Sequence, residues 1–224
     1  MVISLVYFRR IISSPGGFYD EIKDKSAEEI KTEIRRLKRS ITRLKDEIEN
    51  PASEPDMVCP SRETVIYWSR EYLEMAKKAL VDAGGEYKET NEEKRARAFL
   101  ERLPSLRRME LEIGGFFGGW EKYVIEIDRD TLTRDTVMVL RDLDDPEVET
   151  REALLEYLRD MHLEEWRKDY SPERYGIYIL DGTQWSLKLI YDDGKTREYE
   201  GDNVYPWNFG ELCRLFGFEW NRYH

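Results

Sequence analysis

The chain has 224 residues, enough for one large domain or two small ones, and its 40% hydrophobic and 12% aromatic content can build a packed core. No apolar run approaches the ~20 residues that span a bilayer, and MVISLVYFRR lacks the basic start and cleavage site of a secretory signal. Two cysteines, Cys59 and Cys213, are too few for a disulfide scaffold or a cysteine zinc site, so a reduced, cytoplasmic chain without a membrane partner is expected.

The net charge of −11 is unevenly placed: residues 1–104 are neutral, and the whole excess lies in residues 105–224. This asymmetry predicts two regions, an N-terminal strand and helical hairpin over 1–104 and an acidic antiparallel α+β domain over 105–224.

In chain order, Val2 to Phe8 is β-branched and aromatic and reads as a strand, broken by Ser13-Ser14-Pro15-Gly16-Gly17. Ser26 with Glu29 forms a capping box. From there Ile30, Ile34, Leu37, Ile41, Leu44 and Ile48 make an unbroken heptad seam of coiled-coil type. After a proline-rich link, Ser61 caps a second helix to about Ala83, stopped by Gly84-Gly85. One of its apolar faces can cover the seam, and Val65, Trp68, Tyr72, Met75 and Ala79 are left for the rest of the protein. An antiparallel hairpin is expected, although the same seam could join two chains as a homodimer. A third helix runs from Thr90 to Pro104.

Past Pro104 the period becomes two. Met109-Leu111-Ile113, Trp120 to Ile127 and Val137 to Leu140 read as strands, and Thr150 to about Trp166 as a helix. Tyr175 to Leu180, Trp185 to Tyr191 and Thr196 to Glu200 are expected to form a meander. Its turns are Asp181-Gly182-Thr183-Gln184 and Asp192-Asp193-Gly194-Lys195. Asn208 caps a last helix through Phe216.

No motif specifies a chemistry. Gly114-Gly115-Phe116-Phe117-Gly118-Gly119 lacks the third glycine of a dinucleotide fingerprint, and the P-loop's Lys and Ser/Thr are replaced by Trp120 and Glu121. It reads as a connection between two strands, with Phe116 and Phe117 as an apolar contact at its tip. The only histidines are His162, placed within the long helix, and His224, so neither a histidine-rich metal site nor a histidine base is expected. Asp142, Asp144 and Asp145 lack the EF-hand spacing. No catalytic residue, cofactor or metal is therefore assigned.

Candidate partner-binding residues are clearer. Lys31 to Lys45 is basic apart from Glu33, and Arg35, Arg36, Arg39 and Arg43 fall outside the seam. Such a stripe suits phosphates or an acidic protein surface. Glu126 to Glu165 is strongly acidic and could occupy a basic groove. The aromatics Tyr175, Tyr178, Trp185, Tyr191, Tyr205, Trp207 and Phe209 are expected to be mostly core, with Tyr205 and Trp207 reaching a ligand from the Asn203–Asn208 loop.

Gly114 to Gly119, Asp181-Gly182-Thr183-Gln184-Trp185 and Asn203-Val204-Tyr205-Pro206 together resemble an uncharacterised domain of Firmicute-type bacteria and their mobile elements. The resemblance covers about the last half of the chain and implies no activity. The leading expectation is a non-catalytic protein that binds another macromolecule. It would be an accessory or inhibitory protein of bacterial or phage origin that occludes a partner surface, a protein or a protein–nucleic-acid complex. The alternatives are a carboxylate-dependent hydrolase with its site between sheet and hairpin, and nucleic-acid binding through the basic helix.

Overall fold

A computed structural model describes residues 17–53, 59–115, 119–127, 148, 150–217 and 220, and the backbone of 15–16 and 132–135. The expected strands at Val2–Phe8 and Val137–Leu140 lie outside the described residues, as does the acidic turn from Asp142 to Pro146. The chain is α+β and divides into two compact units, Met1–Lys88 and Glu89–His224. The division thus falls before the third helix rather than after Pro104, because Phe99 of that helix and Leu103 beside it belong to the core of the second unit.

The first unit holds α1 (Pro15–Ile22), α2 (Ala27–Glu49) and α3 (Arg62–Asp82). Helix α1 follows from Pro15 at a position where the helix needs no N–H. The Ser-Pro-Gly-Gly composition by itself predicts only a break there. The capping box at α2 is formed: the Ser26 hydroxyl accepts from the Glu29 N–H, and Glu29 accepts from the Ser26 N–H at 2.9 Å. All six seam residues of α2 are buried.

Helix α3 supplies the cover. Tyr72, Ala76, Ala79 and Leu80 from its second half share one cluster with Ile30, Ile34 and Leu37 from the first half of α2. At the other end Arg62, opening α3, stands 3.8 Å from Glu47 near the end of α2. The start of each helix therefore meets the end of the other, and the pair is an antiparallel hairpin about 35 Å long at 1.5 Å per residue. The aromatic face of α3 is partly taken within the same unit, where Phe18 of α1 stacks on Tyr72 at 4.5 Å.

The second unit contains α4 (Asn91–Arg102), α5 (Arg151–Asp160), α6 (Phe209–Phe216) and one sheet. The strands are β1 (Leu106–Gly115), β2 (Gly119–Ile127), β3 (Leu132–Asp135), β4 (Asp169–Tyr170), β5 (Thr183–Tyr191) and β6 (Thr196–Asp202). Their order is β3-β2-β1-β5-β6-β4, antiparallel throughout except for the parallel β4–β6 pair. Period-two burial puts Met109, Leu111, Ile113, Tyr123, Ile125, Leu187, Leu189 and Tyr199 on one face, in a single core with Phe99, Leu154, Leu158, Leu212 and Phe216 of the helices. The alternate residues form a charged ladder: Lys122 bridges Glu110 and Glu112 at 3.0 and 2.9 Å, and Lys188 meets Glu198 at 3.0 Å. Burial opposes ionisation of Glu110, but Lys122 and Arg108 outweigh it and hold the carboxyl below its usual range.

Three expectations are corrected. Tyr175–Leu180 is not a strand: Pro172–Tyr175 winds into a 3-10 turn, ended by Gly176 with φ 69°, and the chain then runs unpaired to Thr183. The helix expected to reach Trp166 stops at Asp160, because His162 turns left-handed with φ 52° and a separate 3-10 turn, Leu163–Glu165, follows. Asn208 precedes α6 without capping it. Its side chain is buried instead, accepting from Trp166 Nε1 at 2.9 Å and donating to the Met161 carbonyl at 2.5 Å.

Candidate partner-binding surface

The α2 seam turns one side of the helix inward, and a second stripe follows on the outside. Arg35, Arg39 and Arg43 recur every four residues and are all exposed. Four residues advance about 6 Å, so three guanidinium groups line up over about 12 Å. Arg35 Nε donates to the Lys31 carbonyl at 3.2 Å and its Nη2 to the Thr32 hydroxyl at 3.2 Å; Arg39 Nε donates to the Arg35 carbonyl at 3.2 Å. These bonds hold the stems along the helix, and among the described residues neither Arg35 nor Arg39 is in an ion pair. Arg43 lies 3.8 Å from Glu47.

Arg36, named with the other three from sequence, does not belong to the stripe. It is half-buried and its guanidinium is gripped by both oxygens of Glu33. Lys38 is likewise turned aside, with its Nζ 2.5 Å from the Tyr87 hydroxyl. The basic run thus resolves into one outward row and a set of internally matched cations.

The other predicted contact residues fare differently. Phe116 and Phe117 lie outside the described residues. The segment that contains them joins antiparallel neighbours, β1 and β2, with Gly115 opposite Gly119, as a strand connection requires. Tyr205 and Trp207 are corrected: both are buried, so they are not placed to meet a ligand from the surface. Tyr205 stacks on Trp185 at 6.5 Å and packs on Phe209 at 5.0 Å. Tyr178, expected in the core, is 83% exposed, and Leu180 is 99% exposed. Trp120, read only as a strand residue, is exposed as well.

The three motifs of the tail meet at one end of the sheet. Gly115 approaches the Gly182 carbonyl too closely to admit a Cβ, and Gly182 in turn lies against the Asn203 side chain. Asn203, with φ 54°, accepts from the Thr183 N–H at 2.9 Å, and its own N–H donates to the Thr183 carbonyl at 2.9 Å. Trp185 Nε1 donates to the Val204 carbonyl at 2.9 Å. These residues lock a corner and hold no reactive group. Asn203→Ala is therefore expected to lose about 2–3 kcal/mol, the cost of a left-handed alanine plus one hydrogen bond. Asn203→Gly, which tolerates that backbone, should lose only about 1 kcal/mol in denaturant titrations.

Burial pushes the Cys213 thiol well above its usual range. Tyr157, pushed up to about 12 by burial, donates to the Glu211 carbonyl at 2.8 Å. The sequence alone does not single out one group of potential metal ligands, His162, Glu164 and Glu165, which lie on the left-handed residue His162 and the 3-10 turn that follows it. No helix among the described residues is long and apolar enough to cross a membrane. Comparison with protein-family models, curated proteins and solved structures finds no match to this chain.

Proposed function

We propose that this is a macromolecule-binding protein whose hairpin presents Arg35, Arg39 and Arg43 to an acidic protein surface, acting by covering that surface rather than by transforming it. The observation that carries the reading is the row itself. Its cations are exposed and evenly spaced on a two-helix support whose apolar side is already buried within the chain. A helix braced in this way holds its cations in a fixed row, which limits the conformational freedom lost on binding.

An acidic protein fits this row better than nucleic acid does. Three cations displace about three counterions, a small electrostatic gain on a phosphate backbone. The accessory or inhibitory role of the sequence reading follows from such occlusion.

Fluorescence anisotropy with a labelled glutamate-rich peptide and a labelled DNA duplex, between 50 and 200 mM salt, tests the proposal. The peptide should bind with salt-dependent affinity, at least about ten-fold weaker for Arg35→Glu/Arg39→Glu/Arg43→Glu with an unchanged circular dichroism spectrum. Equal peptide binding by that variant, or no binding by the wild type, overturns the proposal. Tighter binding of the duplex replaces it with the nucleic-acid reading.

A further inference from the structure

The turn after α5 carries a constellation that the arginine row does not use. One ring nitrogen of His162 and one carboxylate oxygen from each of Glu164 and Glu165 lie within 4.8 Å of one another. One edge is at ligand spacing: His162 Nδ1 stands 3.2 Å from Glu164 Oε1. Two donors held tetrahedrally at about 2.1 Å from one zinc ion stand about 3.4 Å apart.

A second observation points the same way independently. The Glu164 side chain is only 6% exposed, and its Oε2 is buried and accepts no hydrogen bond. Among the described residues no lysine or arginine pairs with Glu164; its ion-pair contact is the His162 ring. A carboxylate oxygen withdrawn from water with no donor is costly, and a cation bound at that oxygen offsets the cost.

The turn is also braced from both sides. The Tyr199 hydroxyl donates to the Leu163 carbonyl at 3.2 Å, and Asn208 ties the Met161 carbonyl to Trp166 Nε1 at 2.5 and 2.9 Å. The Glu165 N–H closes the turn onto the His162 carbonyl at 3.0 Å. Ligands carried on a turn fixed in this way need little reorganisation to converge on an ion.

We propose that His162, Glu164 and Glu165 bind one divalent transition-metal ion of the zinc type. One imidazole with two carboxylates suits zinc or cobalt(II), whereas magnesium and calcium favour oxygen-only shells. Three protein ligands leave one tetrahedral position for water. The proposal stands apart from the arginine row, which contributes no ligand.

Isothermal titration of the untagged full chain with zinc chloride, and cobalt(II) absorption as a second readout, tests the site. One ion per chain should bind, at least about ten-fold more weakly to Glu164→Gln and to His162→Gly. The glycine keeps the left-handed turn, so its loss of binding reports the missing imidazole; folding of both variants is checked by far-ultraviolet circular dichroism. His224→Ala, which removes the only other histidine, and Cys59→Ser should bind like the wild type. If either ligand variant is unfolded, Glu165→Gln replaces it, with the same weakening expected. No saturable binding by the wild type, full binding by the folded ligand variants, or loss in His224→Ala or Cys59→Ser overturns the assignment.

Discussion

Replacing Trp185 by alanine is expected to unfold the second unit or leave it barely folded at room temperature. Trp185 lies at the centre of the aromatic core, with ring centroids of Phe209, Tyr170 and Trp166 at 4.8, 5.7 and 6.2 Å. Truncating a buried tryptophan costs about 3–5 kcal/mol through lost burial and the cavity left behind. The Val204 carbonyl, which accepts from Trp185 Nε1, loses its donor in the same step, a further cost of about 1–3 kcal/mol. Domains of this size have only about 5–15 kcal/mol in total. Urea titration followed by near-ultraviolet circular dichroism provides the measurement, and Trp185→Phe separates the contributions. The phenylalanine keeps much of the ring contact and loses the N–H, so it should fall between the wild type and alanine. An alanine variant within about 1 kcal/mol of the wild type would refute the central role of this residue.

The second large effect is expected at Leu37→Asp. Leu37 is buried in the middle of the α2 seam, in one cluster with Ile30, Ile34, Tyr72, Ala76 and Leu80. A carboxylate there removes the leucine's burial and places an uncompensated polar group between two helices. Together these should cost at least about 4 kcal/mol. Amide exchange measured by mass spectrometry should show loss of protection across both α2 and α3, because each buries its apolar face on the other. The loss should not depend on protein concentration, since the covering helix belongs to the same chain. A protection level that recovers as concentration rises would show instead that a second copy covers the seam.

Elements with short-range signals were legible. The capping box at Ser26, the seam of α2, the cap at Ser61 and the β5–β6 hairpin turn at Asp192–Lys195 appear where their residues predict them. Each is specified within a few residues by a periodicity or a cap, so distant parts of the chain have little say. The errors share a different origin. Tyr175–Leu180 is rich in β-branched and aromatic residues like a strand, yet among the described residues no strand pairs with it, and Tyr178 and Leu180 face water. The place beside β5 is taken by β1, and the far side of β6 by the two-residue strand Asp169–Tyr170, too short to carry any pattern. Asn208 was a good cap by type, but a buried indole N–H and a carbonyl compete for the same side chain.

The candidate sites divide along the same line. Four-residue recurrence was enough to set Arg35, Arg39 and Arg43 on one outer row, because helical geometry alone decides which residues share a side. Only the folded chain removed Arg36 from that row, through Glu33, and buried Tyr205 and Trp207. On a continuous helix Glu165 would lie one turn from His162, but Glu164 would face away from both. They converge because His162 breaks the helix left-handed and Tyr199 and Asn208 fix the turn from elsewhere in the chain. By itself, then, the sequence determined the two hairpin helices, their caps at Ser26 and Ser61 and the side that α2 turns inward. What covers each face, and which polar groups are left enclosed, was decided by contacts between residues far apart in the chain, to which local periodicity is blind.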